Sequence, residues 1–121
     1  MKVYLAHNFA ARKYLQGIIE LFTSHGHEVT SRWITDDAHL LPEHAEQSAV
    51  HDLEDVEKCG YFILFTDQYS DRPGKGKFAE LGYAIRSGKR IILVGQDDSC
   101  VFYNLPTIRR VNTIEEAIAL L

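Results

Sequence analysis

Cysteine, proline and methionine are scarce in this 121-residue chain, which holds two, three and one of them. Cys59 and Cys100 cannot supply the framework of bridges that staples small secreted domains, which predicts a reducing, cytoplasmic setting. Long apolar runs are missing too. Stretches such as Tyr61–Phe65 (YFILF) fall far short of the roughly 20 residues that a membrane helix requires. The first residues read as a strand rather than a basic-then-apolar leader. Nor is there an excess of positive charge: 13 Lys and Arg stand against 17 Asp and Glu, for a net -4. Such a balance gives no general attraction to a DNA or RNA backbone. What is present, at 45% hydrophobic and 25% charged, predicts one ordinary globular domain spanning residues 1–121.

Short apolar runs alternate with segments of helical period. Lys2–Ala6 reads as a strand covered on both faces, and Tyr14, Leu15, Ile18, Ile19 and Phe22 recur at helical spacing behind it. Asn8 is placed to cap that helix and His25-Gly26 to end it. A second strand is expected over Glu28–Ile34, a polar loop over Thr35–Pro42, and a helix from Pro42 to about Cys59. Tyr61–Phe65 and Arg90–Val94 read as further strands, with a helix over Gly76–Ser87 between them. Thr107–Val111 is a short fifth strand, and Thr113 caps a terminal helix reaching Leu121. Regular alternation implies parallel strands joined by right-handed crossovers. The expected fold is α/β, a flavodoxin-like three-layer sandwich of about five parallel strands in order 2-1-3-4-5. Ligands of such sheets sit beyond the carboxyl ends of the strands, which points to His7–Arg12, Thr66–Glu80 and Gly95–Ser99.

The turn before the third helix holds the densest chemistry. Gly74 and Gly76 let the backbone approach a ligand where a helix begins, and Arg72, Lys75 and Lys77 add positive charge to an end already favourable to anions. The spacing is not that of a Walker A loop; an ordinary turn with solvated lysines has the same residues. Glu80 follows beside the apolar arc of Phe78, Leu81, Ala84 and Ile85. Either it stabilises its own helix from the first turn, or it is a carboxylate that the helix dipole holds ionised as a nucleophile. On the preceding helix Asp52 borders a stripe of Ala45, Ala49, Leu53 and Val56, where it can orient a hydroxyl, move a proton or serve as a structural hydrogen-bonder. Tyr4 is expected to be buried, its hydroxyl in need of a partner. His7 and Asn8 end strand one at the mouth of this region, and Trp33 either stacks on a planar ring or packs.

Other chemistries find little support. The six histidines do not gather: His25 and His27 lie at the wrong end of the sheet, and His39, His44 and His51 do not share one helical face. No cysteine pair has zinc spacing, so neither a metal nor any cofactor is expected. There is no Gly-x-Ser-x-Gly elbow, and Cys59, just before a buried strand, reads as an inert core thiol.

Lys2-Val-Tyr-Leu-Ala, Asp52-Leu-Glu-Asp, Gly76-Lys-Phe-Ala-Glu80-Leu-Gly-Tyr-Ala and Gly88-Lys-Arg-Ile-Ile-Leu-Val together resemble the nucleoside 2-deoxyribosyltransferase family, which includes deoxynucleoside monophosphate N-glycosidases. The likeness runs over nearly the whole chain. It implies a catalytic glutamate at Glu80, supporting roles for Tyr4 and Asp52, and a homodimer or higher oligomer whose neighbours complete each other's sites. The reaction so implied is attack of Glu80 on the anomeric carbon of a nucleoside or its 5′-monophosphate. The base departs with a proton, and the glycosyl ester passes to another base or to water. Tyr4 would position the carboxylate, while Lys75, Lys77 and the Gly74–Gly76 backbone would bind a 5′-phosphate. Two other readings stay open: a module that binds a nucleotide or ADP-ribose-type signal without turnover, and a glutamate-dependent NAD glycohydrolase.

Overall fold

The computed structural model describes residues 1–67 and 74–121, and Arg72 of the glycine turn lies outside them. Among the described residues nine elements follow one another: β1 (Lys2–Ala6), α1 (Arg12–Ser24), β2 (Glu28–Val29), α2 (Ala45–Lys58), β3 (Tyr61–Phe65), α3 (Gly76–Arg86), β4 (Arg90–Val94), β5 (Arg109–Val111) and α4 (Ile114–Ala119). Single 3-10 turns at Phe9–Ala11, Arg32–Ile34, Pro42–His44 and Val101–Asn104 link them. The sheet has the expected order, β2-β1-β3-β4-β5, with every neighbouring pair parallel.

Alternation along the strands sorts the side chains to two faces. Tyr4 is opposite Phe62 in the ladder, and both look toward α3. Phe65 and Val94 look the other way, onto Ile18 of α1 and Ile114 of α4. β3 lies in the middle and is buried throughout, which is why its residues are apolar without alternation. Gly26 (φ +81) and Gly88 (φ +73) close α1 and α3 in the left-handed conformation the sequence predicts. Thr113 accepts from the Glu116 amide at 3.2 Å while Glu116 accepts from Asn112, a reciprocal cap that fixes the start of α4.

Three expectations are corrected. The second strand stops at Val29 rather than Ile34, because the Ser31 hydroxyl takes the Leu5 amide at 3.0 Å and the chain turns into the Arg32–Ile34 helix. The buried face of α2 is not Ala45, Ala49 and Leu53, which are exposed. Its inner residues are Ser48, Asp55 and Val56, and the polar two are satisfied: Ser48 donates to the His39 carbonyl at 2.8 Å, and Asp55 accepts the Arg32 amide and guanidinium at 2.9 Å each. On α3 the inner face is Lys77, Glu80, Leu81 and Ala84, with Phe78 turned out. Both cysteines are free. Among the described residues no helix is long and apolar enough to cross a membrane.

Candidate active site

A cleft of about 180 Å³ opens at the carboxyl end of the sheet. Its floor is the inner face of α3 and its walls come from the chain after β1, the segment after β2 and helix α2. Of the residues expected in the site, His7, Trp33, Asp52, Gly74, Lys75, Gly76, Lys77 and Glu80 all line it. Tyr4 lies directly beneath, fully buried and stacked on Phe62 with ring centroids 5.4 Å apart.

The Tyr4 hydroxyl donates to Glu80 Oε2 at 2.6 Å, a short bond that aims the carboxyl into the cleft. Glu80 is the fifth residue of α3, too far along for the helix's amino end to keep it ionised as expected. Burial instead pushes its carboxyl up to about 8; the Tyr4 bond pulls the other way and Asp52 adds to the rise. Asp52 is itself raised to about 7, by burial first and by Asp55 next. The two carboxyls act on each other as hydrogen-bonded partners, raising Glu80 and lowering Asp52. Asp52 Oδ1 is buried, and among the described residues no N–H or hydroxyl group donates to it. Two acids so placed hold one proton between them near neutrality and titrate as a pair.

The remaining wall sets the character of the cleft. His7 stacks on Phe65 at 5.0 Å, and burial together with Lys77 holds its imidazole down near 4, so it is neutral. Its Nδ1 accepts from the Asn8 amide at 2.7 Å, which leaves the proton on Nε2. Trp33 is fixed by a bond from its indole N–H to the Leu5 carbonyl at 3.0 Å. It sits in a 3-10 turn rather than at a strand end. Lys77 is 4% exposed, its ammonium 3.4 Å from the Phe65 carbonyl, and burial lowers its pKa. A buried lysine that has no acidic partner in hydrogen-bond range among the described residues is a ready counter-charge for an anion.

Asn8 departs from its expected roles. It makes no capping bond at the helix after β1 and does not line the cleft. Its Oδ1 accepts the Gly74 amide at 2.9 Å, and a Cβ on Gly74 would collide with that oxygen and come within 3.2 Å of the Asn8 Cα. Asn8 therefore latches the glycine turn, and Gly74 is glycine because the two backbones touch.

Three lining residues, Phe9, His39 and Leu40, were not anticipated. His39 Nε2 lies 3.5 Å from Asp52 Oδ2, and its ring stacks on Phe9 at 5.8 Å. Its signal in the sequence is not metal spacing but its place in the polar loop after strand two, at the ligand-binding end of the sheet. Among the described residues no three His, Cys, Asp or Glu side chains are grouped to hold a metal ion.

No protein-family model and no curated protein sequence matches the chain. Solved structures do. One is a Clostridium botulinum CMP N-glycosidase, BcmB, at 20% identity and a TM-score of 0.67, with 99% of this chain and 97% of that one covered. Another is a 2-desoxiribosyltransferase from Leishmania mexicana, at 19% identity and a TM-score of 0.59, with 79% of this chain and 65% of that one covered. The chain thus has the fold that these two structures share.

Proposed function

We propose that this protein is an enzyme that cleaves the N-glycosidic bond of a nucleoside or deoxynucleoside, or of its 5′-monophosphate, through a glycosyl ester on Glu80. The carrying observation is the buried Tyr4–Glu80 bond at 2.6 Å beside a second protonatable carboxyl, Asp52, on the floor of a cleft. The fold is that of an N-glycosidase and a deoxyribosyltransferase. Glu80 attacks the anomeric carbon as the bond to the base breaks, and Asp52 delivers the proton the departing nitrogen needs. The ester is then taken by water or by a second base. Tyr4 steadies the ionised carboxylate. Lys77, Lys75 and the amides of the Gly74–Gly76 turn receive a 5′-phosphate, with neutral His7 and Trp33 beside the sugar and base.

The protein is also proposed to act as a homodimer or higher oligomer. Val50, Leu53 and Tyr83 form an apolar strip on the outer faces of α2 and α3, each more than a third exposed, and a second copy is a suitable cover for it.

Free base is followed by chromatography after incubation with deoxynucleosides and their monophosphates. Wild type releases base, and Glu80→Gln is slower by at least about a thousandfold. A second base in the same tube gives an exchanged nucleoside only if the ester is open to bases. A nucleotide bound tightly and recovered intact would instead identify a sensing module and sink the catalytic reading.

A further inference from the structure

A second cavity, of about 240 Å³, lies at the opposite end of the sheet. Tyr61, Arg90 and Arg109 are the first residues of β3, β4 and β5, so this cavity is at the amino end while the Glu80 cleft is at the carboxyl end. Ile91, Ile92, Thr107 and Leu120 complete its lining. In the ladder Tyr61 is opposite Arg90, and Ile92 is opposite Arg109. Alternation therefore puts Tyr61, Arg90, Ile92 and Arg109 on one face of the sheet. Arg90 and Arg109 are one strand and two residues apart, which separates their Cα atoms by about 8 Å.

Neither arginine forms an ion pair among the described residues. The Arg90 guanidinium donates to the Tyr61 hydroxyl at 2.9 Å and lies over that ring, 5.6 Å from its centroid. Tyr61 is 8% exposed, so a buried anchor holds the guanidinium in place before any ligand arrives. Two cations on one face without a counter-charge repel each other, although the chain as a whole carries -4. An anion between them removes that repulsion, and the planar guanidinium fork matches the oxygens of a phosphate.

We propose that this cavity is a second phosphate-binding site, independent of the Glu80 cleft. It takes a small organic phosphate, with the phosphate bridging Arg90 and Arg109, the Thr107 hydroxyl donating to it, and the apolar body resting on Ile92 and Leu120.

Phenyl phosphate, inorganic phosphate and benzyl alcohol are titrated into the isotope-labelled protein, and amide shifts are read by two-dimensional NMR. Phenyl phosphate is expected to move the amides of Tyr61, Arg90, Arg109 and Leu120. Inorganic phosphate moves the same set at about tenfold higher concentration, and benzyl alcohol moves none of them. Arg109→Gln, which breaks no ion pair, weakens binding at this set by at least about tenfold, whereas Lys77→Ala, in the other cleft, leaves it unchanged. Shifts confined to the Glu80 cleft overturn the proposal. So does wild-type affinity in Arg109→Gln, or equal affinity for the two phosphates. None of these outcomes bears on base release, so the catalytic proposal is tested separately.

Discussion

Catalysis by Glu80 turns on which carboxyl of its pair holds the proton. The nucleophile must be ionised and Asp52 protonated, a state available only while the pair carries one proton. Since the two carboxyls are raised to about 8 and about 7, kcat/KM is expected to be bell-shaped, with its maximum between those values. Asp52→Asn removes the titrating partner and should collapse the profile to a single limb, at a rate lower by about a hundredfold or more. Tyr4→Phe keeps the ring against Phe62 but deletes a hydrogen bond to a charged group, a loss of about 1.5–3 kcal/mol. Because that bond lowers the Glu80 pKa, which is the higher of the pair, the alkaline limb of Tyr4→Phe moves to higher pH as kcat falls. A pH–rate series on the three proteins checks both expectations, and an unshifted limb in Tyr4→Phe would show that its hydroxyl does not act on the nucleophile. Tyr4, Asp52 and Glu80 were all legible in the sequence as candidates. Their mutual contact was not, since Tyr4 and Glu80 are 76 residues apart.

At the level of elements, alternation of apolar runs and helical segments was enough to set out the sheet and its order. The periodicity of single helices was less reliable where function intervenes. α2 and α3 turn Ser48, Asp52, Asp55, Lys77 and Glu80 inward, and a reading that sends apolar residues inside rotates such helices the wrong way. These inward-facing polar side chains are the departures from pattern that a site demands. The glycine turn was found by its composition, but its fastening to Asn8 is a contact between segments and leaves no local trace. That contact predicts that Gly74→Ala displaces the turn: with no room for a Cβ against Asn8, the amides and Lys75 shift away from the cleft. KM for a nucleoside monophosphate should rise by about tenfold or more while the unphosphorylated nucleoside is affected less. Steady-state kinetics on the two substrates measures this, and equal losses on both would separate the turn from phosphate recognition.

For the molecule as a whole, the site makes stability depend on pH in a way that can be worked out by sign. A carboxyl whose folded pKa is raised contributes fully below its unfolded value, and that contribution is lost as pH climbs through the folded value. For Glu80 the window runs from about 4.5 to about 8, and for Asp52 from about 3.8 to about 7. His7 works in the opposite sense: held near 4 in the fold against an ordinary 6.5, it favours unfolding as pH falls from 6.5 toward 4. The opposing effects overlap below pH 6.5, whereas above it His7 is neutral in both states and the carboxyls act alone. Thermal melts between pH 6.5 and 8 should therefore fall, with Glu80 accounting for up to about 2 kcal/mol across that span. Glu80→Gln carries no such charge to bury, so its melting temperature should vary less with pH and exceed that of wild type at pH 8. A flat wild-type profile over this range would mean that Glu80 is already ionised in the fold. The same experiment locates the origin of the instability: the carboxylate needed to attack a sugar carbon is the one that the apolar floor of the cleft disfavours, and removing it trades activity for a firmer fold.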